Sequence, residues 1–173
     1  MKKPIRQFFI SRKIKSNFSK IRTQTFSDNR ALILFHTDCT DFKQLKQSFE
    51  NYFVESKNYE LQLIGFGSEK SLANLRDQST ENLKLISPKD FNLMANIKTE
   101  SLQKCLDQSY HFCFNFYASN RSYLQLINSM ISALFNIGIT DEFPNKFSVS
   151  VSESQPEQFF KEVSNYISKI TYA

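Results

Sequence analysis

The stretch RALILFHTD (Arg30 to Asp38) decides the fold class. Its apolar residues run without alternation until His36, Thr37 and Asp38 end it. A strand with one wet face alternates apolar and polar residues. A strand buried on both faces of a parallel sheet reads instead as a nearly continuous apolar run. The stretch therefore predicts a central strand of a parallel sheet. Working outward, CTDFKQLKQSFENYF (Cys39 to Phe53) carries helical spacing at Phe42, Leu45, Phe49 and Phe53. YELQLIGFG (Tyr59 to Gly67) predicts a second strand, SEKSLANLRDQ a short helix or turn, and NLKLIS (Asn82 to Ser87) a third strand.

The same alternation continues to the end of the chain. Ser87-Pro88-Lys89-Asp90 opens a helix or turn, with proline pre-set for a first turn. Thr99 to Asp107 reads as helix, and YHFCFNFY (Tyr110 to Tyr117) as a fourth buried strand. Asn120 to Phe135 predicts a helix, and Asn136 to Thr140 a short fifth strand. KFSVSVS (Lys146 to Ser152) alternates, so it predicts a half-exposed edge strand. Ser154-x-x-Glu157 has the capping-box spacing for a last helix, from Phe159 to about Ile170. Repeated strand–helix units predict a Rossmann-like α/β fold. The expectation is a single three-layer sandwich over 28–173, with a mostly parallel sheet of about 5–6 strands and flanking helices. A chain of 173 residues can bury such a core as one domain, without disulfides or metals.

Residues 1–27 differ in character. Eight of the chain's 22 Lys and Arg residues fall here: Lys2, Lys3, Arg6, Arg12, Lys13, Lys15, Lys20 and Arg22. No acid precedes Asp28, and the other 14 basic residues face 17 acidic ones, so the formal +5 comes from this arm. Residues 4–22 read as a basic amphipathic helix, with Ile10, Ile14, Phe18 and Ile21 on one face and most of the charge opposite. Thr23 to Asn29 reads as a polar linker. These eight residues are the candidates for binding an anionic partner. RNA or the ribosome surface comes first, because Lys and Arg release phosphate counterions. An anionic membrane surface is the alternative, since Phe8, Phe9 and Ile10 beside Lys2, Lys3 and Arg6 resemble an interfacial anchor. In a third reading the apolar stripe packs on the protein's own sheet and the basic face is merely solvated.

Several classes are excluded by what the chain lacks. No apolar run is long enough for a transmembrane segment, and Phe8 to Ile10 is too short for the core of a signal peptide. Three cysteines without a framework fit a reducing cytoplasm. The expected location is therefore cytoplasmic, with membrane-peripheral binding as the alternative. Gly65-Phe66-Gly67-Ser68 lies at a strand-to-helix junction but lacks the glycine and lysine pattern of a phosphate loop. There is no nucleophile elbow, zinc-protease motif or kinase signature. No cofactor and no metal is expected, and the reading favours a binding protein over an enzyme.

In open α/β sheets, ligands bind beyond the carboxyl ends of the strands, where the strand order reverses. That rule selects a possible crevice made by His36, Asp38, Asp41, Ser68, Ser119 and Asn120, suited to a nucleotide or sugar phosphate. The plainer reading makes Asp38 or Thr40 a helix cap, Asp41 a partner of the helix dipole and Cys39 a packing residue. His111 shares one side of its strand with Cys113 and Asn115, opposite Phe112, Phe114 and Phe116, and reads as a partnered core histidine.

Three stretches together are familiar: ALILFHTD, SPKDFNLMANIKTESLQKCLDQSYHFCFNFY and YLQLINSMISALFNIGIT. Their layout resembles an uncharacterised family of small Bacteroidetes α/β proteins, a domain of unknown function. The resemblance runs from about residue 28 to the end, with a variable basic helix in front. It implies the α/β fold and a cytoplasmic bacterial setting, and it assigns no activity or catalytic residue.

Overall fold

The computed structural model describes residues 2–18, 29–53, 56–78, 80–142 and 144–171. Lys20, Ile21 and Arg22 lie outside the described residues. The elements are α1 (Lys2–Phe18), β1 (Arg30–His36), α2 (Phe42–Tyr52), β2 (Glu60–Phe66), α3 (Glu69–Ala73) and β3 (Leu83–Ile86). After them come α4 (Glu100–Leu106), β4 (Ser109–Phe116), α5 (Ser122–Asn128), β5 (Ser132–Gly138), β6 (Phe147–Ser148) and α6 (Pro156–Thr171).

The six strands form one sheet in the order β3-β2-β1-β4-β5-β6, and every neighbouring pair is parallel. This is the strand order of doubly wound dinucleotide-binding sheets. β1 is central, as its apolar run requires: Ala31 through Phe35 are all 0% exposed. Its side chains alternate between two cores. Ala31, Ile33 and Phe35 meet Leu45 and Phe49 of α2, Phe53 at its C-cap, and Phe159, Phe160 and Val163 of α6. Leu32 and Leu34 meet Ile10 of α1, Leu102 and Leu106 of α4, and Leu124 and Ile127 of α5. The crossover from β1 to β2 and those from β3 to β4 and β4 to β5 run in opposite directions, so a constant handedness puts their helices on opposite faces.

The phenylalanine excess is concentrated in the first of these cores, where eight phenylalanines are buried. Phe49 lies 5.2 Å from Phe53, Phe53 lies 5.4 Å from Phe114, and Phe114 lies 5.3 Å from Phe160, centroid to centroid. The first pair is stacked and the other two are edge-to-face, and pairs of these kinds each add about 0.5–1.5 kcal/mol beyond area burial.

The structure departs from the sequence reading in three places. Asn120 to Phe135 is not one helix. α5 ends at Asn128, a turn follows through Met130 N–H to Ile127 O and Ile131 N–H to Asn128 O, and β5 begins at Ser132. A short apolar run suits helix or strand alike, and pairing of Tyr110 with Ala133 and Phe112 with Phe135 decides for strand. The alternating stretch Lys146 to Ser152 contributes only the two residues of β6. Val149 and Val151 still pack against the phenylalanine-rich core after the chain leaves the sheet. Finally, α6 starts at Pro156 rather than Phe159, which moves Ser154 out of the cap position. Ser154 Oγ lies 2.8 Å from Ser152 Oγ instead.

Candidate functional site

The strand order reverses between β1 and β4, so the crevice rule points to the residues that follow them. His36 ends β1 and is 7% exposed. Its Nδ1 accepts the Asp38 N–H at 3.3 Å and lies 3.9 Å from the Asp38 carboxylate. An accepting Nδ1 places the ring proton on Nε2. Burial pushes the His36 pKa below the ordinary value; Arg121 pushes the same way, against Asp38 and Glu153.

The other predicted crevice residues make contacts of their own. Asp41 is spent as the N-cap of α2, accepting the Lys43 N–H at 3.0 Å. Ser68 caps α3 by accepting the Ser71 N–H at 3.2 Å. Ser119 and Asn120 are exposed in the turn after β4, where the Ser119 carbonyl accepts from Gln125 Nε2 at 2.7 Å. So His36 and Asp38 come together, while Asp41 and Ser68 serve helix starts.

Two residues that the sequence did not mark occupy the crevice. Glu153 Oε1 accepts the Ala118 N–H at 3.0 Å and the Arg121 Nε–H at 3.4 Å, and Oε2 accepts from Arg121 Nη2 at 3.1 Å. The buried Thr40 hydroxyl donates to the Glu153 carbonyl at 2.7 Å. Arg121 Nη2 also lies 3.1 Å from Cys39 Sγ. Burial, reinforced by Glu153, raises the Cys39 pKa, so the thiol stays protonated. Glu153 lies 32 residues from Arg121, so no local spacing pairs them. Among the described residues, no group of three or more His, Cys, Asp or Glu side chains could hold a metal ion.

The sequence matches one family profile across residues 6–170. The chain belongs to DUF6913, a family of unknown function. The match takes in α1 from Arg6 onward together with nearly all of the α/β domain. No curated protein and no solved structure matches the chain.

The helix α1 is docked on the body. Ile10 is 1% exposed and Ile14 packs against the same core. Two of the predicted anion-binding residues face inward. Arg6 Nη2 donates to the Pro88 carbonyl at 2.8 Å and to the Phe91 carbonyl at 2.6 Å, and the guanidinium carbon lies 5.8 Å from the Tyr123 ring. Lys13 Nζ donates to the Ala95 carbonyl at 3.3 Å and to Asn96 Oδ1. Asn17 Nδ2 donates to Ser129 Oγ at 3.0 Å. Arg6, Ile10, Lys13 and Asn17 thus form one inward stripe. Ile5, Phe8, Arg12 and Lys15 form an outward stripe, all exposed. Lys2 and Lys3 lie in the first turn of α1. Among the described residues, no helix is long and apolar enough to cross a membrane.

Proposed function

We propose that this protein is a binding protein rather than an enzyme, and that the outward stripe of α1 meets an anionic partner. The carrying observation is the division of labour along α1. Arg6 and Lys13 hold the helix to the body, while Arg12 and Lys15 face outward. α1 contains no Asp or Glu. A docked helix presents its charges in a fixed array, and rows of phosphates release counterions when such an array binds. RNA, the ribosome surface and anionic lipid all carry phosphates of this kind.

The test is retention on an immobilised polyanion at low salt. Arg12→Glu with Lys15→Glu is expected to elute the protein at clearly lower salt, with an unchanged circular dichroism spectrum. Unchanged elution would sink the reading. A nucleotide or sugar-phosphate ligand at the β1–β4 crevice is the second reading. The strand order supports it by fold analogy alone, and the Arg121–Glu153 pair would have to open for it.

A further inference from the structure

Five large hydrophobic side chains are markedly exposed among the described residues: Ile5, Phe8, Leu93, Met94 and Tyr166. Four of them belong to α1 and to the loop that α1 grips. Arg6 binds this loop at Pro88 and Phe91, and Lys13 binds it at Ala95 and Asn96, so the exposed Leu93 and Met94 lie in the chain between the two anchor points. The loop is built rather than slack. Phe91 and Ile97 form an antiparallel bridge, and Asn92 Oδ1 accepts the Asn96 N–H at 2.9 Å. Ala95, fully buried, sits at φ 60°, which lets the chain turn back beneath the exposed tip.

We propose that this combined surface docks on an anionic lipid surface, with Ile5, Phe8, Leu93 and Met94 entering the acyl boundary and the basic residues meeting the headgroups. The proposal rests on the reading of α1 given above and names its partner. Charge complementarity supports it. Residues 2–18 and 91–99 contain no Asp or Glu, whereas Arg12 and Lys15 border the apolar side chains on α1. Glu69 is engaged with Ser87, Arg76 and Lys89, and Asp90 with Ser87 and Thr99, while Asp107, which lines a cavity with Lys13 and Asn17, accepts from Gln103 Nε2 at 2.9 Å. The apolar chemistry separates lipid from RNA. Single-stranded RNA rewards aromatic faces on which bases stack. Leu93, Met94 and Ile5 are aliphatic and gain only by leaving water, which an acyl boundary permits.

The experiment is sedimentation of the full chain with vesicles of phosphatidylcholine alone or mixed with phosphatidylserine. Binding is expected on the mixed vesicles and much less on the neutral ones. Leu93→Ser with Met94→Ser should weaken vesicle binding about tenfold and leave polyanion retention unchanged; Phe8→Ser should likewise weaken vesicle binding. Because these side chains are exposed, urea midpoints are expected to hold and will confirm folding. No binding to the mixed vesicles, or binding indifferent to these substitutions, overturns the proposal. If Arg12→Glu with Lys15→Glu lowers polyanion retention while vesicles never bind, the charge reading survives and the lipid assignment falls, leaving RNA. If that variant keeps its retention, the underlying reading itself has failed. A dimer broken by the same serine substitutions, without vesicle binding, would assign the patch to a second copy and also overturn the proposal.

Discussion

The Arg121 guanidinium grips the Glu153 carboxylate through two atoms, with Nη2 3.1 Å from Oε2 and Nε 3.4 Å from Oε1. Paired, charge-assisted contacts of this form are among the stronger hydrogen bonds in proteins. They join the turn after β4 to the segment that follows β6, across the end of the sheet where a ligand crevice is expected.

Breaking this pair should cost stability. Glu153→Ala strips the Ala118 N–H and Arg121 of their acceptor at a site where the Glu153 side chain is 13% exposed. A loss of roughly 1–3 kcal/mol is expected, read from the urea midpoint. Glu153→Gln keeps an oxygen for the Ala118 N–H and should lose less. Equal midpoints for all three proteins would show that the crevice is not held shut by this contact.

Arg6 should control the docking of α1 without touching the sheet. Its guanidinium supports two backbone carbonyls of the 88–91 turn. Arg6→Ala is expected to speed amide exchange in α1 several-fold, while β1 and β4 keep their protection. Uniform exchange changes across the chain would place Arg6 in the global core instead.

Gly67 is required by close packing. A Cβ there would meet Thr37 Oγ1 and lie 2.7 Å from Ser71 Oγ. Gly67→Ala is expected to destabilise by about 1–3 kcal/mol through overpacking. Adding Thr37→Ala removes the nearest atom and should recover part of that loss, which a double-mutant cycle in urea will reveal.

His36 should impose a pH dependence on stability. Its folded pKa is depressed, chiefly by burial, so above about pH 6.5 the ring is neutral in both folded and unfolded chains. Below that value the unfolded chain binds the proton more readily, and stability falls as pH drops toward the folded pKa. His36→Gln is expected to flatten the change in urea midpoint between about pH 7 and about pH 5. A profile that stays as steep in the variant would assign the dependence to other groups.

The sheet class was legible in the sequence because burial on both faces leaves a local mark, and β1 carries it from Ala31 to Phe35. The same holds for α2, whose spacing from Leu45 to Phe53 places one face on the core, and for the Ser87–Asp90 turn, which carries its proline in the first turn. The crevice was legible only in part. His36 and Asp38 are neighbours in the chain, so they meet; Asp41 and Ser68 share the helix-start chemistry of caps and were drawn into it.

What the sequence determined by itself about this protein is what periodicity and composition record: a parallel α/β sheet with a basic helix before it. Tertiary structure alone decided the rest. It split 120–135 into α5 and β5, because a short apolar run takes its form from the strand it pairs with. It turned Arg6 and Lys13 inward and left Arg12 outward, because carbonyls of a loop more than eighty residues away supply the acceptors. It also brought Glu153 to Arg121, since ionic contacts depend on distance in space and leave no spacing in the chain.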